Sequence, residues 1–308
     1  MKHTDNKTWK VVAEIVMALL SILALLPFLL LFISSITDNT WATANGFSFF
    51  PKKLSMLAYQ YIINQWATIG HAYLMTFITT VAGTVISVLI TTGFAYALAT
   101  KGLPFRGLLN FLCIFTMLFS GGIVASYYCW VSLFHVRDTL WAMIFPNLMM
   151  NAFNVILVKN YFMNSVPPSL IEAARIDGAN EFKIYRSVVL PLSVPIVATI
   201  GLMTAIAYWN DWTNGLYYLT ARNGRNYYTI QMVLNSINDS IQFLNQNSDI
   251  SGLAGAQLPT TTVRMAIAVV GILPIILAYP FFQKYFVKGI TLGGVKAVSY
   301  THLTLPTT

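Results

Sequence analysis

The chain has 308 residues, 56% of them hydrophobic and only 9% charged, with a formal net charge of +8. A soluble domain carries about 25% charged residues, so this composition and a mean hydropathy of +0.65 make lipid the main solvent. They exclude a water-soluble catalytic domain. Because no basic patch is interleaved with stacking aromatics, they also exclude a nucleic-acid binder.

Six apolar windows, charge-free but for Glu14 and Arg264 at the edges of the first and the last, can each hold a spanning helix of about 20 residues. They lie near residues 12–36, 72–100, 107–129, 139–158, 189–210 and 264–283. The first is too long for the apolar core of a signal peptide, and the small residues Ala42-Thr43-Ala44 lie well beyond its end, so it reads as an uncleaved anchor. Residues 37–71 follow as a mixed polar and aromatic segment. The second window carries Thr76, Thr79, Thr80, Thr84, Ser87, Thr91 and Thr92 with Gly83 and Gly93, a pattern that marks close helix packing rather than a substrate site. Gly102 and Pro104 make the next connection a tight turn. Cys113 and Cys129 fall in or at the end of the third window, where sixteen residues of helix put them about 24 Å apart. They form neither a disulfide nor a metal site.

The fourth window is the least apolar. Its Asn147, Asn151 and Asn154 follow i, i+4, i+7 and so share one face of a helix. That face can line a polar path, or it can be glue between helices. Pro195 in the fifth window, and Pro274 and Pro280 in the sixth, are expected to kink or loosen their helices. Trp209, Asn210, Asp211 and Trp212 end the fifth. They read either as an interfacial anchor or as a sugar contact, with indole faces under a ring and Asn and Asp on its hydroxyls. The segment 213–262 is polar, with one weakly amphipathic stretch near Tyr228 to Leu244.

An even number of spans puts both termini on one side. With the termini inside, twelve of the eighteen Lys and Arg fall inside, while the acidic residues split evenly. This is the bias of the positive-inside rule. It places residues 159–189 in the cytoplasm and makes the protein a multi-pass plasma-membrane protein. Residues 1–296 are expected to form a single membrane domain.

The cytoplasmic loop, residues 165–191, is the most specific stretch. Pro167-Pro168 ends one helix and opens another. Gly178 sits where a left-handed C′ glycine would close that short helix, and Asn180 can cap a second one running towards Pro191. The loop reads Glu172-Ala173-Ala174-x3-Gly178-x9-Val188-x-Leu190-Pro191. This resembles the EAA motif of bacterial ABC importer permeases, with Val188 in place of the usual Ile. The Glu172 to Ala179 segment and Trp209 to Trp212 are similar to the carbohydrate-uptake branch, including the smaller maltose-importer permease and the oligosaccharide permeases of Gram-positive bacteria.

The resemblance runs from about residue 10 to about residue 296. It implies an all-α integral membrane protein of six transmembrane helices, the type I ABC importer permease fold, with cytoplasmic coupling helices. It assigns Glu172, Ala173, Ala174, Asp177, Gly178, Leu190 and Pro191 to contact with the ATPase. The two small Ala residues let the partner approach, and Glu172 and Asp177 offer it charge. It implies as partners a second homologous permease, two ATP-binding subunits, an extracytoplasmic substrate-binding protein and the lipid bilayer. No cofactor is expected, and no ATP-binding, metalloprotease or nucleophile-elbow motif is present. Asn147, Asn151, Asn154, Trp209, Asn210 and Asp211 are the residues that could meet substrate. The resemblance to the carbohydrate-uptake branch implies a neutral oligosaccharide or related glycoside as cargo, and the uncharged polar groups within the spans fit hydroxyls better than an ionic ligand. A secondary transporter or a permease for a non-sugar solute is the competing reading; the former needs ionisable residues or broken helices near the midplane, and no ionisable residue lies deep in the windows. Ala297 to Thr308 continues past the usual end of such chains and is expected to be a non-native extension.

Overall fold

The computed structural model describes residues 7–246 and 261–294. The expectations for residues 297–308, and for residues 247–260 of the polar segment before the last window, lie outside them. Among the described residues the chain is mostly helical, with one isolated antiparallel bridge between Thr37 and Leu54. It divides into two compact units.

The first unit holds, among the described residues, 7–76, 228–246 and 261–277. Its helices are α1 (Lys7–Ser35), α2 (Asn39–Asn45), α3 (Leu57–Asn64), the first turns of α4 (Trp66–Ala99), α13 (Ile230–Gln246) and the first half of α14 (Thr261–Gly294). No residue in the most apolar window of α1 is buried within the chain, as expected of a helix whose solvent is lipid. The core forms where Ile62, Ile69, Ala72, Ile230, Val263 and Ile267 meet. Thr76 Oγ1 accepts the Ile230 N–H at 2.8 Å, which satisfies one of the donors left open at the start of α13. The amphipathic stretch predicted near Tyr228 to Leu244 is α13, held to α14 by a 2.9 Å hydrogen bond from Arg264 to Asn238.

The second unit holds residues 77–227 and, among the described residues, the rest of α14 from Ala278. After the rest of α4 it contains α5 (Arg106–Leu118), α6 (Gly122–Tyr128), α7 (Ala152–Ser165), α8 (Pro168–Ile176), α9 (Glu181–Ile184), α10 (Leu190–Leu192), α11 (Val194–Trp209) and α12 (Thr213–Tyr218). Its core is built from Leu98, Val155, Val158, Ile184, Ile196 and Ile200, among others. The hydroxyl stripe on α4 is largely inside, with Thr79, Ser87, Thr91 and Thr92 buried, as close packing requires.

Three windows differ from the sequence reading. The third is interrupted at Ser120-Gly121-Gly122, where Gly122 takes φ +78°, so two shorter helices replace one span. The fourth does not begin as a helix. A 3-10 turn over Leu140–Met143 leads into an irregular stretch containing Pro146, and α7 starts only at Ala152. In the fifth, the chain bends by 84° between Glu181–Leu192 and Val194–Trp209. The bend falls at Ser193, just ahead of Pro195, which occupies the first turn of α11 and has no N–H to continue the preceding helix. Pro274 and Pro280, by contrast, leave α14 unbroken. Among the described residues, three helices can cross a membrane by length and composition, or four if the bent pair is one span.

Candidate functional site

The α8–α9 loop is built by local rules. Pro168 occupies the first turn of α8, where a missing N–H costs nothing. Gly178 has φ +75°. Its N–H donates to the Arg175 carbonyl at 3.0 Å, and that of Ala179 to the Ala174 carbonyl at 2.9 Å. These two bonds make a Schellman closure. Asn180 then caps α9, its side chain accepting the Lys183 N–H at 2.8 Å. A π turn over Tyr185–Val189 carries the chain to Leu190 and Pro191.

Successive helical residues turn by about 100°, so Glu172, Ala173 and Ala174 point three ways. Glu172 lines a cavity of about 390 Å³ beneath α8, together with Pro168, Ile171 and Arg175. Ala173 is exposed. Ala174 packs against the hydrophobic core, so its small side chain serves the seating of α8 rather than the approach of a partner. Leu170, Ile176 and Phe182 are exposed, the last two to 87% and 68%. Asp177 and Pro191 are exposed as well, and Leu190 is half-buried.

A cluster that no motif announces ties this loop to α4. Tyr96 donates to Glu181 Oε2 at 2.5 Å, and Arg175 reaches Glu181 Oε1 at 2.9 Å. The bond from Tyr96, followed by that from Arg175, holds the Glu181 carboxyl below its ordinary range. Tyr185 shares a 2.7 Å hydrogen bond with Thr92 and packs its ring 5.3 Å from that of Tyr96. Arg175 and Glu181 lie six residues apart across the glycine turn, and that opposite-charge spacing was the available sequence signal.

The expected asparagine face does not exist. Asn147 is outside any helix, at φ +62°, a conformation Asn tolerates better than most side chains. Asn151 is the N-cap of α7, accepting the N–H groups of Phe153 and Asn154 at 2.9 and 3.3 Å, and Asn154 is buried in the first turn. Pro146 and the cap break the helical spacing on which the shared face depended. Asn147 instead contacts Asn214 at 3.4 Å, and Asn214 donates to the Pro146 carbonyl at 3.0 Å.

Trp209 ends α11 and Asn210 is its C-cap. Asp211 accepts the N–H groups of Thr213 and Asn214 at 3.1 and 3.2 Å, at the start of α12. Burial nevertheless pushes its carboxyl up to about 6, the two N–H bonds opposing that shift in part. Asn214, which sequence reasoning missed, is the residue that brings Asp211 and Asn147 together. Among the described residues no group of His, Cys, Asp or Glu could hold a metal ion.

Residues 72–292 match the family described as binding-protein-dependent transport system inner membrane component, and the chain belongs to that family. It is 38% identical to the polygalacturonan/rhamnogalacturonan transport system permease protein YtcP of Bacillus subtilis (strain 168), over 90% of this chain and 94% of that one. It is 36% identical to Protein LplC of the same organism, over 89% and 90%. Among solved structures it resembles a chain of a bacterial ABC transporter involved in the import of the acidic polysaccharide alginate. The TM-score is 0.75 at 30% identity, covering 93% of this chain and 99% of that one. The protein is thus an ABC importer permease with the type I fold, a transport subunit rather than an enzyme. Such a subunit works with an ATPase and a substrate-binding protein.

Proposed function

We propose that the chain forms half of the translocation path for an oligosaccharide, paired with a second homologous permease, two ATP-binding subunits and an external binding protein. It crosses the membrane six times with both termini in the cytoplasm, and α8–α9 is the surface that docks on an ATP-binding subunit. The observation that carries this reading is the Schellman closure at Gly178. It sets α8 as a rigid finger, with Leu170, Ala173 and Ile176 exposed along it and Phe182 exposed beyond the turn. Exposed apolar groups on a short, firmly capped helix suit insertion into a partner's groove. Trp209, Asn210, Asp211 and the Asn147–Asn214 pair are the groups we assign to the sugar path.

The named relatives support the sugar class, and one of them handles an acidic polysaccharide. The cargo is therefore widened from neutral oligosaccharides to include those bearing uronic acids. Cells lacking the chain, and cells restored with it, should be compared for growth on neutral and uronic-acid oligosaccharides. Loss and recovery on at least one is expected. Unchanged growth on all of them, with lost uptake of peptides or amino acids, would overturn the reading. For orientation, single cysteines at Ser169 and Asn223, with Cys113 and Cys129 replaced by Ser, should react with an impermeant reagent from opposite sides.

A further inference from the structure

The cavity beneath α8 is not accounted for by coupling or by a sugar path. It lies between the α4–α5 turn, the end of α7 and α8. Its floor is apolar, with Ala99, Phe162, Val166 and Val189 among the lining residues. Its charged groups are Lys101, Arg106, Arg175 and Glu172, three cations against one carboxylate.

The cations are not equivalent. Arg175 is matched by Glu181 at 2.9 Å. Arg106 is half-buried; its Nε donates to the Leu98 carbonyl at 2.8 Å, and one terminal nitrogen lies 3.9 Å from the Met163 sulfur. A guanidinium has five donors, so most of its capacity is unused by protein, and among the described residues no carboxylate lies within ion-pair distance of it, Glu172 being the one carboxylate that lines the same cavity. Lys101, on the exposed turn, likewise meets no carboxylate among the described residues. Beside them stand Phe105 and Met163, exposed to 77% and 51%. Two cations without counter-ions, opening on an apolar floor and flanked by bare hydrophobic side chains, form an amphipathic receptor. A half-buried arginine held without a counter-ion is costly, and such an arrangement is stabilised by an anion that brings its own apolar part.

We propose that this cavity binds a phosphate-bearing anion, the phosphodiester headgroup of an anionic phospholipid, held by Lys101 and Arg106. Basic pockets between spanning helices at a membrane surface take such headgroups, and the planar guanidinium suits a phosphate oxygen pair. The acyl chains lie along Phe105 and Met163. The cavity face of α8 carries Pro168, Ile171, Glu172 and Arg175, while Leu170 and Ala173 lie on the opposite side, so lipid and ATPase can sit on α8 together. The occupant joins the α4–α5 turn to α8 and stiffens the coupling finger. Its assignment to the inner leaflet rests on the proposed orientation; the binding itself does not.

The test is lipid retention by the assembled transporter, read by native mass spectrometry from bilayer discs of mixed phosphatidylglycerol and phosphatidylcholine. The intact complex should keep phosphatidylglycerol preferentially. Lys101→Gln, on the exposed turn, should lower that preference about fivefold, and Lys101→Gln with Arg106→Gln by about the square of that ratio. Assembly should be unchanged in the single variant, which guards against misfolding in the double. A separate arm adds inorganic phosphate to discs of phosphatidylcholine alone. Retention of phosphate there, with no lipid preference in the mixed discs, would replace the lipid by a free anion and overturn the proposal. So would equal retention of phosphatidylglycerol by wild type and both variants. Because retention is measured without ATP or sugar, failed ATPase docking would sink the coupling assignment and leave this one standing.

Discussion

Tyr208 of α11 lays its ring over Gly83 of α4 so closely that no Cβ fits at position 83. The same tyrosine donates to the Ile144 carbonyl at 2.7 Å. One side chain thus ties α4, α11 and the irregular stretch after the 3-10 turn. Gly83→Ala should destabilise the assembled protein by about 1–3 kcal/mol, as overpacking does. Tyr208→Phe keeps the packing and removes the hydroxyl, leaving a buried carbonyl without its partner at a cost of about 1–3 kcal/mol. Thermal unfolding of the purified complex checks both. An unchanged midpoint for Gly83→Ala would show that α4 and α11 separate freely.

Gly178 sets the second prediction. At φ +75° a β-branched side chain is strained by about 1–3 kcal/mol, so Gly178→Val should let α8 fray while membrane insertion stays normal. ATPase association and uptake should fall together. Gly178→Asn, which tolerates the left-handed region, should retain most of both. Normal pull-down and normal uptake with Gly178→Val would remove the turn from the coupling role.

These local devices were legible because each rests on neighbours in sequence. Pro167-Pro168, Gly178 and Asn180 act within a few residues, and the structure uses them as the chain suggests. The Ser120-Gly121-Gly122 break was equally visible, but an apolar run without charge looks alike whether or not glycine interrupts its helix. The asparagine spacing misled because Asn serves caps and left-handed positions as readily as helix faces, and Pro146 decides between them. The Tyr96–Glu181 bond joins residues 85 apart, and nothing local in either segment encodes it. Likewise the stripe of small residues on α4 announced close packing but not that Tyr208 would be the partner of Gly83.

Two carboxylates should give the protein opposite pH responses. Glu181 has a lowered pKa from an ordinary value of 4.5. Its contribution is therefore complete above 4.5 and lost as pH falls through the lower folded value. Glu181→Gln should flatten stability in that acidic range and loosen α8–α9, with little change in the thermal midpoint at neutral pH because the pair is exposed. Asp211 runs the other way. Its pKa is raised from 3.8 to about 6, so the folded state gains stability as pH falls from 6 to 3.8 and forgoes it at neutral pH. Asp211→Asn should keep the two N–H bonds, raise the midpoint at neutral pH, and leave it nearly unchanged near pH 4. A midpoint lowered at neutral pH would show that the charge itself is needed there.

Asn151 separates a capping role from a role in the sugar path. As the N-cap of α7 it answers two N–H groups, and its loss should cost about 1 kcal/mol. Asn151→Ala should therefore reduce the yield of assembled complex. Asn151→Ser supplies another capping oxygen on a shorter side chain, so yield and basal ATP hydrolysis should recover. Uptake then discriminates. If Asn151 only starts the helix, Ser restores uptake in step with yield. If its amide also meets the sugar, uptake stays low in a complex that assembles normally. Asn147 gives the parallel test through its contact with Asn214. Asn147→Gly retains the left-handed backbone at position 147 while removing the amide, so a fall in uptake at constant yield would place that amide on the path, whereas constant uptake would confine the pair to holding α12 against the Pro146 carbonyl.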